Sequence, residues 1–288
     1  MKTQLVKIAA TLLLAAAAVP AVAATAFKAE VKGKGEPVIL IPGLASSGEV
    51  WQDTAARICA SRQCHILTLA GFAGVPALKG ERLLPAAEQQ LADYITANKL
   101  AKPTVIGHSL GGFLGMKLAS DHPEKVGRLI IIDSFPALGA TRNPAVTKEQ
   151  LLAGAAQMRD AMSGQDDATF SAMQQRSVST MVTAPEHAQR IAGWGKQSDR
   201  ATVTEAMHDI MATDLREDIA RIKAPTLVLA AWGPAMAAFA PKEAVEGLFK
   251  SQYAKLPGVK VELANNARHF IMYDEPEWMY ARIDQFIQ

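Results

Sequence analysis

The 288-residue chain carries 30 Lys+Arg against 28 Asp+Glu, 49% hydrophobic residues and two cysteines. That length suits one large α/β domain, or one with a sizeable insertion, whose core needs neither metals nor a disulfide framework. The near balance of charge, without a basic stripe, argues against nucleic acid as a partner.

The chain begins with two lysines, Lys2 and Lys7, an apolar run from Ile8 to Val19, and the small residues Ala21-Val22-Ala23. This pattern reads as a secretory signal peptide over residues 1–23, with Ala24-Thr25-Ala26 as a second cleavage site. The apolar run is shorter than the roughly 20 residues of a membrane span, and no cysteine follows it, so no stable membrane or lipid anchor is expected. The expected location is the periplasm or the medium. Removing Lys2 and Lys7 leaves 28 basic against 28 acidic residues. In an oxidising compartment Cys59 and Cys64, five apart, are expected to form a local disulfide, which in so short a loop contributes only about 2 kcal/mol.

Phe27 to Lys32 alternates like an edge strand, and Pro37 to Ile41 is an uninterrupted apolar strand. Similar runs recur at Cys64–Ala70, Thr104–Ile106, Leu129–Asp133, Thr226–Ala231 and Val259–Ala264. Continuous apolar strands are buried on both faces. Between them Glu49–Cys59, Pro85–Asn98, Leu110–Asp121, Lys242–Gln252 and Glu275–Ile287 carry helical periodicity. The expected fold is therefore α/β, a mostly parallel sheet with helices on both faces and a ligand site at the carboxyl ends of the strands. Residues 140–213 break the rhythm: helix-like stretches, divided by Gly164, Pro185 and Gly195, suggest a helical cap inserted into a core formed by 24–139 and 214–288. Six of the eleven methionines fall there, with Met158/Met162 and Met207/Met211 spaced to share helix faces. A Met-rich, uncharged cap would favour an apolar substrate portion.

In Val105-Ile106-Gly107-His108-Ser109-Leu110-Gly111-Gly112 an apolar strand meets a glycine-flanked serine and then a helix pattern. This is the turn that presents a serine nucleophile; Gly107 and Gly111 are small because the two sides of so tight a turn crowd each other. Ser109 needs a base, and six histidines compete. His108 is the serine's neighbour on a turn and is expected to point away; His65 lies in a strand, His122 at a helix end, and His187 and His208 in the insertion. His269 follows the last strand and returns to the sheet edge that holds Ser109.

Ile41-Pro42-Gly43-Leu44, Gly-His-Ser-Leu-Gly-Gly at 107–112, the cap and Arg268-His269-Phe270 together resemble the α/β-hydrolase family across residues 27–288. The layout is similar to the haloalkane dehalogenase branch, but a serine stands at the nucleophile position. The resemblance implies a triad acid after the strand that follows the cap, yet Leu229 to Phe239 contains no carboxylate. Some members of the dehalogenase branch carry the acid at the end of the strand after the nucleophile helix, which here is Asp133, with Asp214 as the next candidate. The resemblance also makes the backbone N–H groups of Leu44 and Leu110 the oxyanion donors. Trp51, Phe72, Phe113, Phe135, Trp232 and Phe270 flank strand ends and are expected to line the substrate pocket.

The expected activity is hydrolysis of a small-molecule carboxylic ester through an acyl-Ser109 intermediate, with His269 as base and Asp133 as its orienting acid. No cofactor is implied, since no metal-ligand cluster or phosphate-cradling loop is present in the sequence. A lactonase, thioesterase or amidase would use the same constellation. A non-catalytic binding module on the same fold is the reading that follows if the missing carboxylate after Trp232 records lost chemistry.

Overall fold

Seven apolar strands build one sheet in the computed structural model, which describes residues 25–237 and 239–288. The strands are β1 (Phe27–Lys32), β2 (Pro37–Ile41), β3 (Gln63–Leu69), β4 (Thr104–His108), β5 (Arg128–Ile132), β6 (Thr226–Ala230) and β7 (Lys260–Leu263). Their order is β1-β3-β2-β4-β5-β6-β7, with β1 antiparallel to β3 and all other pairings parallel. The expected signal peptide lies outside the described residues.

The unbroken apolar runs follow from the layering. Val38, Leu40, Ile106, Ile130, Ile132, Leu227 and Leu229 enter one core, while their alternates Ile39, Ile41, Val105, Leu129, Ile131 and Val228 enter the other. Both faces of each central strand are therefore out of water, as side chains alternating across a sheet with two covered faces require. β1 is paired on one side only, and its solvent-side residues are the polar ones that made it alternate.

Helices α1 (Gln52–Ile58) and α11 (Pro276–Ile287) cover one face; α2 (Leu83–Ala97), α3 (Leu110–Asp121) and α9 (Lys242–Gln252) cover the other. Helical single turns at α8 (Pro234–Ala237) and α10 (Ile271–Asp274) sit in the last two connections. The first expected helix is divided: Gly48–Trp51 is a 3-10 turn, capped by the Ser47 hydroxyl on the Glu49 N–H, and α1 begins only at Gln52. α2 starts two residues before Pro85, because a proline in the first helical turn removes an N–H that has no partner there anyway.

Four helices lie between β5 and β6: α4 (Lys148–Ser163), α5 (Asp167–Met181), α6 (Pro185–Lys196) and α7 (Arg200–Ala212). They pack as two pairs, α4 against α7 and α5 against α6. Arg200 holds the α4–α5 turn, donating to the carbonyls of Met162 (2.7 Å) and Gln165, pairing with Asp167 (2.8 Å) and lying over the Phe170 ring. Cys59 and Cys64, at the turn between α1 and β3, have their Cα atoms 5.5 Å apart and their sulfurs in contact. Among the described residues no helix is long and apolar enough to cross a membrane.

Candidate active site

β4 delivers Ser109 at a bend that only small neighbours permit. A Cβ on Gly107 would stand 2.2 Å from the Gly111 carbonyl oxygen, and one on Gly111 would stand 2.2 Å from that of Ile41. Ser109 itself adopts φ 53° and ψ −119°, outside the regions a side chain prefers. The Ser109 N–H still donates to the Ile132 carbonyl at 2.9 Å, so β5 holds this backbone at the point of strain. Leu110 then begins α3, where the first N–H groups have no partner within the helix.

The neighbouring strand ends in the same manner. Asp133 follows β5 with φ 46°, and its N–H donates to Leu229 at 2.8 Å. Its carboxylate is engaged on both oxygens: Oδ1 accepts from the Ala231 N–H at 2.8 Å, and Oδ2 lies 2.6 Å from His269 Nδ1. An ionised carboxylate only accepts, so Nδ1 is the donor of this pair, and in the neutral imidazole that leaves the lone pair on Nε2. The structure thus brings Asp133 and His269 together from 136 residues apart, and both line the cavity that Ser109 opens into. Asp214, the other acid considered, is elsewhere. Its carboxylate is held by the Arg216 guanidinium at 2.6 Å and by the Arg216 N–H at 3.0 Å, which makes a local turn.

Leu44 and Leu110 both line the same cavity. Gly43 lets the backbone before Leu44 come close, since a Cβ there would lie 3.3 Å from Ser109 Cβ and 3.0 Å from His108 Nδ1.

Three supports were not visible in the sequence. Tyr253, fully buried, donates its hydroxyl to the Ser134 carbonyl at 2.8 Å and so fixes the turn that carries Asp133. Burial, with Asp133 nearby, pushes the Tyr253 phenol well above its usual range, so it remains a donor. Arg268 donates to the carbonyls of Ser179 (3.1 Å) and Val182 (3.0 Å), Phe270 N–H donates to Met181 (3.1 Å), and Asp274 accepts from Thr183 N–H (2.9 Å). The loop that carries His269 is thereby fastened to the end of α5.

The third is His108. Its ring does point away from a base's position, yet it is not idle: it is fully buried, its centroid lies 4.6 Å from that of His269 and 4.7 Å from that of Phe270, and Nε2 donates to the His269 carbonyl at 3.0 Å. Burial, reinforced by the adjacent His269, holds the His108 imidazole well below its ordinary range, so it stays neutral. Below about pH 6.5 the unfolded chain therefore binds a proton here that the folded chain does not, and stability falls as the pH drops through that value. Urea midpoints at pH 7 and pH 5 should differ less for His108→Gln than for the wild type; equal differences would mean that His108 is not buried neutral. His65 is also lowered by burial and adds to the same slope in both proteins.

The other histidines are engaged apart from the cavity: His65 with Tyr94, His122 with Glu88, His187 stacked on Tyr273 and His208 beside Asp209. Glu205, His208 and Asp209 form a compact donor group, but the Arg82 guanidinium already pairs with Asp209 and supplies its cation.

The cavity encloses about 510 Å³. Of the six aromatics expected to line it, Phe113, Phe135 and Phe270 do. Trp51, Phe72 and Trp232 do not: Trp51 and Phe72 are fully buried in opposite core layers, and Trp232 turns its indole N–H to the Ala240 carbonyl at 3.2 Å. Lying beside a strand end in sequence did not mean facing the sheet edge. Five of the six methionines of the helical segment line the cavity; Met211 does not. Nor is the segment's lining uncharged, since Lys196 is part of it.

The model of the Alpha/beta hydrolase family matches residues 38–282. A RutD protein of Yersinia enterocolitica, named for carbamate hydrolysis, is 28% identical over 215 residues, covering 70% of this chain and 73% of the relative. A pimeloyl-[acyl-carrier protein] methyl ester esterase of Aeromonas hydrophila is 26% identical over 262 residues, covering 88% and 96%. Among solved structures, the enol-lactonase of Burkholderia xenovorans superposes with a TM-score of 0.72 at 17% identity, over 91% of this chain and 96% of that one.

Proposed function

Because the chain belongs to the alpha/beta hydrolase family, we propose that it is a serine hydrolase that cleaves carboxylic esters through an acyl-Ser109 intermediate. The observation that carries this reading is the 2.6 Å contact between Asp133 Oδ2 and His269 Nδ1 at the wall of the cavity that Ser109 opens into. A methyl ester esterase among the relatives supports an ester as the scissile group.

In this mechanism the Ser109 hydroxyl attacks the ester carbonyl while His269 Nε2 takes its proton. Asp133 keeps the imidazole in the reactive tautomer and stabilises the imidazolium that forms. The oxyanion is met by the N–H groups of Leu44 and Leu110, and His269 then returns the proton to the leaving alkoxide. Water, deprotonated by the same histidine, releases the acid. Helices α4–α7 act as a cap that limits bulk water above the serine and supplies much of the substrate surface. A fluorophosphonate probe tests the reading: the folded protein should become labelled, and turnover of a short acyl ester should fall in proportion. A folded protein that takes no label would instead be a binding module.

We further propose that the protein is exported with removal of residues 1–23 and that Cys59 and Cys64 are joined in the mature form. Neither cysteine is needed for catalysis, and the joined pair would fasten the end of α1 to the start of β3. Protein purified from the periplasm is expected to contain no free thiol under denaturing, non-reducing conditions; two titratable thiols would refute the disulfide.

A further inference from the structure

The two helix pairs above the serine contribute unequally to the cavity: one side is wholly apolar, while the other mixes Phe170, Met173, Val178, Met181 and Ile191 with polar groups. From α4 and α7 come Met158, Met162, Val203, Met207 and Ile210, without one polar group. The polar side chains that line it from the helical segment, Ser171, Gln174, Gln175, Ser177 and Lys196, belong to α5 and α6. The division follows the packing: α4 and α7 are packed against each other and α7 against α2, whereas α5 and α6 are paired mainly with each other.

Lys196 gives the polar side a sign. It ends α6, is exposed, and among the described residues has no carboxylate within ion-pair distance. The nearby acid, Asp199, is committed to the start of α7, where it accepts from the Thr202 N–H at 2.8 Å and the Thr202 hydroxyl at 2.6 Å. Asp133, the one carboxylate on the cavity wall among the described residues, is engaged by Ala231 and His269 instead. A cavity with one wholly apolar side, a second side on which apolar side chains alternate with amides and hydroxyls, and one ammonium without an ion-pair partner is complementary to an ester of unequal halves.

We propose that the substrate is such an ester: an apolar half lodged under α4 and α7, and a second half under α5 and α6 that bears a carboxylate recognised by Lys196. The proposal rests on the ester-hydrolase reading and adds the substrate's charge to it. Lys196 is a specificity-determining residue here and takes no part in bond breaking.

Two pairs of esters test it, each pair differing only in whether a carboxylate is free or methylated. Hydrogen adipate 4-nitrophenyl ester against its methyl ester places the charge on the acyl half. The butyrate ester of 4-hydroxybenzoate against that of methyl 4-hydroxybenzoate places it on the alcohol half. In one pair the charged ester should have the higher kcat/KM, by about fivefold at low salt, as befits a partly solvated ion pair. The preference should shrink with added salt, vanish in Lys196→Gln and reverse in Lys196→Glu.

The ratio within a pair, measured on one preparation, is independent of how much protein is active. Lys34→Glu, on the exposed β1–β2 turn, changes net charge equally and should leave the ratio as in the wild type. Ratios near one in both pairs, or a ratio that Lys196→Glu does not move, would overturn the proposal while leaving ester hydrolysis intact. Absence of turnover with all four esters would remove the ester-hydrolase reading itself, and the substrate assignment with it.

Discussion

Asp133→Asn should lower kcat by about 10⁴-fold with little change in folding. The magnitude follows from the way the carboxylate is held. The Ala231 N–H donates to Oδ1, so an asparagine must turn its amide oxygen toward Ala231 and its NH₂ toward His269. That NH₂ can only donate, which obliges Nδ1 to become the acceptor and moves the imidazole proton to Nε2. The nitrogen required to take the serine proton is then already protonated. Asp133→Ala, which imposes no tautomer, should be more active than the isosteric asparagine, an order that simple loss of charge would not produce. Steady-state kcat on a short 4-nitrophenyl ester measures both, and an Asp133→Asn rate within tenfold of wild type would dismiss Asp133 as the acid.

Ser109→Ala should lower kcat by about 10⁶-fold and abolish fluorophosphonate labelling, with KM nearly unchanged. Nothing else in the site depends on the hydroxyl: the contacts of Asp133 and His269 with each other, with Ala231 and with His108 are made without it. The strained backbone at residue 109 is shared by serine and alanine, and the N–H that bonds Ile132 is retained. The variant should therefore match the wild type in urea midpoint. Persistent labelling would mean that another nucleophile reacts, and the role of Ser109 would be lost.

The layout of the sheet was legible because burial on both faces favours strands apolar throughout, as Pro37–Ile41 is and as Thr226–Ala230 is from Leu227 on. Ser109 was legible through its glycines, and His269 through its place beyond the last strand. What the sequence concealed is direction. Phe72 and Phe113 look equally placed beside strand ends, but one is sealed in the core and the other meets the cavity. Tyr253 and His108 were concealed for the same reason, since each acts by donating to one particular carbonyl, and no local pattern records where that carbonyl lies. Lys196 was passed over in a cap read as uncharged; only the arrangement of α5 and α6 puts it on the cavity wall.

The ends of β5 and β6 are joined by two short hydrogen bonds, from Asp133 to Leu229 and from Ala231 to Asp133. In evolutionary terms this adjacency makes the acid portable. The two strand ends are neighbours, so a carboxylate moved from one to the other would stay close to the same histidine. With Asp133 as the proposed acid, no carboxylate is needed between Trp232 and Ala240, but Trp232 itself stays constrained, since its carbonyl accepts the Ala267 N–H at 3.1 Å and so holds the loop that carries His269.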